Sequence, residues 1–123
     1  MNPQVPHTST VSKRMDKIQR QLMADLTRGV QHILSVTERI INHVPDDCYI
    51  RIDVQNECIL VDGERDHDQN MAMFKTLVHI LGGTPTVHHI ADGWDGCVFC
   101  QRTHVCVWVT NLSNPNPLLR PTL

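Results

Sequence analysis

A chain of 123 residues is the size of one domain and can bury a hydrophobic core without cross-links. Its formal net charge of −2 excludes a strong positive electrostatic field that would attract polyanions such as nucleic acids. Its 41% of hydrophobic residues is ordinary for a soluble protein. Aromatic residues make up only 4% of the chain, so aliphatic side chains and methionine must fill the interior.

The two ends of the chain differ in composition from its middle. Residues 1–9 predict a flexible tail and residues 112–123 a proline-rich tail, which leaves residues 10–111 as a single α+β domain. The first residues do not have the pattern of a secretory signal, and no apolar run approaches the roughly 20 residues of a membrane span. Five cysteines are an odd number, which favours a reducing cytoplasm over a disulfide framework.

The first element is a long helix over residues 11–44, predicted from apolar residues at helical spacing. About 30 helical residues span roughly 45 Å, whereas a compact domain of this length has a radius of gyration of about 14 Å. One end of the helix must therefore project, or the helix must break near Gly29, where glycine weakens it by about 1 kcal/mol. A projecting apolar stripe predicts a protein partner, with a homo-oligomer through residues 12–44 as the leading expectation.

A hairpin and a second helix follow. Residues 48–54 alternate apolar with polar side chains, and residues 57–62 predict the paired strand, with Cys48 and Cys58 on opposite faces of this hairpin. Asp66 and nearby polar residues predict the start of the second helix, which Gly82 and the following glycine end. A strand near residues 86–91 and a C-terminal antiparallel hairpin complete the order α-β-β-α-β-β, with room for one extra short strand.

The strongest chemical signal is "GCVFCQRTHVCVWV" at residues 96–109, which contains four potential zinc ligands: Cys97, Cys100, His104 and Cys106. A regular hairpin turning at Arg102 would place Cys97 and Cys106 on one face and Cys100 on the other, because strand side chains alternate. Zinc binding therefore requires an irregular knuckle. We favour the hairpin, with buried free thiols and no cofactor, and keep zinc and a Cys97/Cys100 redox pair as alternatives.

The remaining candidates are weaker. His88, His89 and Asp92 could serve a nearby thiol as bases, but adjacent strand residues point to opposite faces and no catalytic motif is present. The basic residues between 12 and 21 could follow a nucleic-acid backbone, although such faces are usually only solvated. The sequence favours a small cytoplasmic, non-enzymatic interaction or accessory module. The alternative is a structural zinc module associated with nucleic acid, and a thiol enzyme is less favoured.

Overall fold

A computed structural model describes residues 6–115, with side chains from residue 10 onward. The chain forms a single α+β domain, as predicted. Its elements are α1 (Pro6–Ile40), a short 3-10 turn (Ile41–His43), β1 (Ile50–Asp53), β2 (Cys58–Val61), α2 (His67–Leu81), β3 (Thr84–Ile90), β4 (Gly93–Cys100) and β5 (Val105–Leu112).

The five strands form one mixed sheet in the order β1-β2-β5-β4-β3. The three hairpin pairs are antiparallel, whereas β2 and β5 run parallel to each other. Three strands follow α2, so the extra strand for which the sequence left room is present. The β3–β4 hairpin closes between Ile90 and Gly93, which pair directly. Pro85 lies in β3 at the sheet edge, where a missing N–H disrupts least.

Both helices cover the same face of the sheet. The core combines Ile33, Val36 and Ile40 of α1 and Met71, Phe74 and Leu77 of α2 with alternate residues of β2, β4 and β5. Gly96 is required here because a Cβ at this position would lie 2.7 Å from the Phe74 ring. The opposite face carries no helix formed by residues 6–115 and is called the open sheet face below.

The second helix has the predicted ends. The Asp66 carboxylate accepts a hydrogen bond from the backbone N–H of Gln69 at 2.8 Å, which caps the first turn. At the other end, Gly82 has φ +64° and its N–H bonds to the carbonyl of Val78. This left-handed conformation suits glycine and stops the helix.

The first helix continues through Gly29 without a break. Gly29 is buried beside Glu57, whose Oε1 lies 3.7 Å from the position that a Cβ would take at that glycine. From there to Ile40 the helix packs on the sheet, whereas every side chain of residues 10–28 is exposed. Residues 10–28 are called the projecting segment below. The sequence predicted either a projecting helix end or a break near Gly29. The structure shows a continuous α1 whose N-terminal part projects from the domain.

The predicted tails lie mostly outside the described residues, since residues 1–5 and 116–123 are not described. Within the described part, residues 6–9 already belong to α1 and Leu112 is the last residue of β5. No helix in that part is long and apolar enough to cross a membrane.

Candidate functional site

The open sheet face is formed by every second residue of each strand, because strand side chains alternate between the two faces. It is a mixed surface of thiols, large apolar groups and a few charges. Its residues include Arg51, Asp53, Cys58, Leu60, Thr86, His88, Asp95, Cys97, Phe99, Cys106 and Trp108.

Three thiols form a group on this face. Cys58 of β2 lies directly beside Cys106 of β5 in the parallel pair, and Cys97 of β4 is the diagonal neighbour of Cys106, which faces Phe99. Burial raises the pKa of Cys97 to about 12, with a further rise from the neighbouring Cys106. Burial also raises the pKa of Cys58. Both groups are therefore neutral thiols near pH 7 and poor nucleophiles, because the thiolate is the reactive form.

The four predicted zinc ligands are not brought together. Cys97 and Cys106 lie on the open sheet face, whereas Cys100 lies in the core beneath the helices. His104 has φ +62° in the β4–β5 turn, with its ring 5.9 Å from that of Phe99. The run is thus the expected hairpin in the expected register, closed by residues 101–104. Within residues 6–115, no three His, Cys, Asp or Glu side chains are arranged to hold a metal ion.

The two adjacent histidines point to opposite faces, as expected for neighbours on a strand. The ring of His88 lies 5.3 Å from that of Trp108 on the open sheet face, and its Nε2 is 3.1 Å from the hydroxyl of Thr86. The ring of His89 lies 4.6 Å from that of Trp94. These contacts make both histidines packing partners of tryptophan.

A large cleft of about 840 Å³ lies between α1, the end of α2 and the β4–β5 turn. Arg39 lines it and donates a 2.6 Å hydrogen bond to the carbonyl of Ile80 near the end of α2. Cys100 also lines it, and burial raises the pKa of that thiol. The lining formed by the described residues includes no imidazole and no carboxylate, so the cleft has no base there that could activate the thiol.

The projecting segment has an uncovered apolar stripe. Its members recur three or four residues apart, which places them on one side of the helix. The exposed fractions of Ile18, Leu22 and Leu26 are 51%, 62% and 51%. The stripe consists of Val11, Met15, Ile18, Leu22 and Leu26, and Met23 widens it near the domain.

The sequence predicted the apolar stripe of the first helix but not the group of three thiols on the open sheet face. The sequence placed Cys58 only on the face of the first hairpin opposite to Cys48, and Cys58 joins Cys106 because β2 pairs with β5. Cys48 does not belong to that group, since it is buried in the core before β1. No local pattern identifies the β2–β5 pairing.

None of the protein-family models, curated proteins or solved structures compared with this chain matches it. The functional argument therefore depends on the geometry of the projecting segment and the open sheet face.

Proposed function

We propose that this protein is a non-enzymatic interaction module that self-associates through the projecting segment. The observation that carries the proposal is the apolar stripe, whose five members are 44–62% exposed on a helix extending beyond its own domain. Soluble proteins rarely leave a contiguous apolar surface of this kind uncovered. An isolated helix of this length is also marginal in water, so a partner surface would stabilise it.

The chemistry of the molecule supports a binding role over an enzymatic one. The thiols with raised pKa lie on a sheet face whose histidine, His88, packs on Trp108 and bonds to Thr86, and the large cleft has no acid–base pair among its described lining residues. The projecting segment carries five basic and two acidic side chains, but its stripe of aliphatic residues favours a protein surface over a nucleic-acid backbone. The five cysteines are free in the structure, which suits a reducing compartment such as the cytoplasm.

Sedimentation velocity of the purified chain tests this proposal. We expect a dimer or larger assembly at tens of micromolar, a concentration on the order of the Kd of weak association. The variant Leu22→Glu places a charge at the centre of the stripe and should be monomeric. Because the Leu22 side chain is exposed, the substitution should leave the domain folded. The circular dichroism spectrum of the variant checks this.

The matched control is Ala24→Glu, which places the same charge on the other side of the same helix. It should assemble like the unmodified chain. A monomeric unmodified chain, or equal loss of assembly in both variants, would contradict the proposal.

A further inference from the structure

The described residues of each chain leave two apolar surfaces uncovered, and these differ in shape. The projecting segment is a convex helix with one apolar stripe. The open sheet face is a broad surface where Leu60, Phe99 and Trp108 are only half-buried. A helix lying on a sheet is the arrangement that already forms the core on the other side of this sheet. An apolar helix stripe and an apolar sheet face are therefore surfaces that can pack against each other.

The area available argues against pairing of the two helices alone. Residues 10–28 extend about 28 Å, and a contact strip about 10 Å wide would bury roughly 280 Å² on each partner. Two helices paired along this strip would bury roughly 560 Å² in total, below the roughly 1,000 Å² expected of a specific interface. Reciprocal docking of each segment on the other chain's sheet makes two such contacts and buries roughly 1,100 Å².

The extent of the stripe agrees with the same conclusion. From Val11 to Leu26 it covers little more than two heptads, whereas a coiled coil is indicated by three or four. Met23 and Leu26 also widen it beyond the narrow seam of two paired helices. A stripe of this width suits a sheet surface.

The projecting segment and the rest of the chain carry net charges of opposite sign. The projecting segment has five basic and two acidic side chains, whereas residues 29–123 have six basic and eleven acidic ones. On the open sheet face, Arg51 is paired with Asp62 at 3.0 Å, while Asp53 and Asp95 form no ion pair among the described residues. Two copies of the segment side by side would instead bring like charges together.

We propose that the projecting segment of one chain lies across the open sheet face of a second copy, and that the exchange is reciprocal. This inference rests on the proposed self-association and specifies the surface that receives the helix. In this arrangement Leu60, Phe99 and Trp108 contact the partner's helix. It also covers the thiol group, so that Cys58 and Cys106 lie beneath the partner's helix.

Cross-linking to the native cysteines tests the location. Gln19→Cys introduces a thiol beside the stripe while leaving all stripe residues in place. A short bismaleimide is added to a mixture of ¹⁵N-labelled and unlabelled chains, and the linked peptides are mapped by mass spectrometry. The reaction is run at pH 8, where a larger fraction of each thiol is ionised than at pH 7, and we expect links between chains from position 19 to Cys58 or Cys106. Ala24→Cys, on the other side of the helix, should give none.

A second variant tests the sheet without altering the helix. Leu60→Lys should raise the dimer Kd at least about tenfold. The control Ile41→Lys changes a residue that is 45% exposed outside both surfaces, and it should leave the Kd unchanged. Circular dichroism verifies that both variants remain folded.

The outcomes separate the two proposals. A dimer linked from position 19 to position 19, without links to Cys58 or Cys106, would overturn the docking inference and leave self-association standing. An unchanged Kd in a folded Leu60→Lys variant would also overturn it. A monomer in sedimentation velocity would remove both proposals.

Discussion

Among the described residues, Asn70 is the one buried polar side chain. Its amide nitrogen donates to the carbonyls of Arg65 and Asn111 at 2.9 and 3.0 Å, and its amide oxygen accepts from the N–H of Arg65 at 3.3 Å. It thereby joins the start of α2 to the end of β5. The side chain also fills the space beside Gly63, where a Cβ would lie 2.7 Å from the Asn70 nitrogen.

Replacing Asn70 should therefore destabilise the fold strongly. Asn70→Ala leaves buried backbone groups without partners, and we expect the free energy of unfolding to fall by about 2 kcal/mol. Urea denaturation measures this change. The control Gln69→Ala alters an exposed side chain of the same helix and should change the free energy by less than about 0.5 kcal/mol. Equal effects in both variants would show that the Asn70 hydrogen bonds contribute little.

The raised pKa of Cys97 predicts a loss of stability in alkali. The thiol ionises near pH 9 in the unfolded chain but only near 12 in the fold. Its contribution is therefore fully present below pH 9 and is lost as the pH rises from 9 towards 12. Urea denaturation at several pH values should show a shallower decline above pH 9 for Cys97→Ala than for the unmodified chain. Parallel declines would contradict burial as the cause of the shift.

Metal removal tests the remaining zinc alternative. Since the β4–β5 hairpin places Cys100 in the core and Cys97 and Cys106 on the open sheet face, we expect a chelator to leave the Tm unchanged. Elemental analysis of the purified chain should find no stoichiometric zinc. One zinc per chain, together with a lower Tm after chelation, would show that residues 97–106 form a knuckle instead.

At the scale of single elements, local sequence patterns predict the helices and strands whose contacts lie nearby in the chain. The alternation of side chains predicts the β4–β5 register correctly, with Phe99 facing Cys106. Capping chemistry likewise predicts both ends of α2, at Asp66 and Gly82.

The parallel pairing of β2 with β5 could not be predicted from the sequence. Cys58 and Cys106 are separated by α2 and two strands, and no pattern in either strand specifies the other as its neighbour. Parallel neighbours need a long crossover, so their register depends on how the whole sheet assembles. The thiol group of the candidate site was missed for this reason, whereas the projecting stripe follows from helical spacing alone.

The continuity of α1 through Gly29 predicts a stabilising substitution. Alanine is favoured over glycine by about 1 kcal/mol within a helix, and its Cβ would make an ordinary 3.7 Å contact with Glu57. Gly29→Ala should therefore raise the free energy of unfolding by about 0.5–1 kcal/mol in urea denaturation. Gly83→Ala is the opposite control, because its Cβ would collide with the carbonyl of Phe99 and destabilise the fold. Destabilisation by Gly29→Ala would indicate that α1 bends there.

At the scale of the whole molecule, the distribution of charge matters more than its sum. A net charge of −2 hides a basic projecting segment attached to an acidic body. Reciprocal docking places the basic segment of one chain against the acidic body of the other, whereas helix-to-helix pairing places two segments of like net charge side by side. The two assemblies therefore respond in opposite directions to salt, since salt screens attraction and repulsion alike.

We expect salt to weaken the dimer. Raising NaCl from about 0.05 M to about 0.5 M shortens the Debye length from roughly 14 Å to roughly 4 Å. The dimer Kd should then rise roughly fivefold, a change of about 1 kcal/mol, in sedimentation measurements. Replacing Lys13, Arg14 and Lys17 by glutamine should reduce this salt dependence, because it removes three of the five basic side chains of the segment. A dimer that tightens with salt, and tightens less in that variant, would instead indicate pairing between two basic helices.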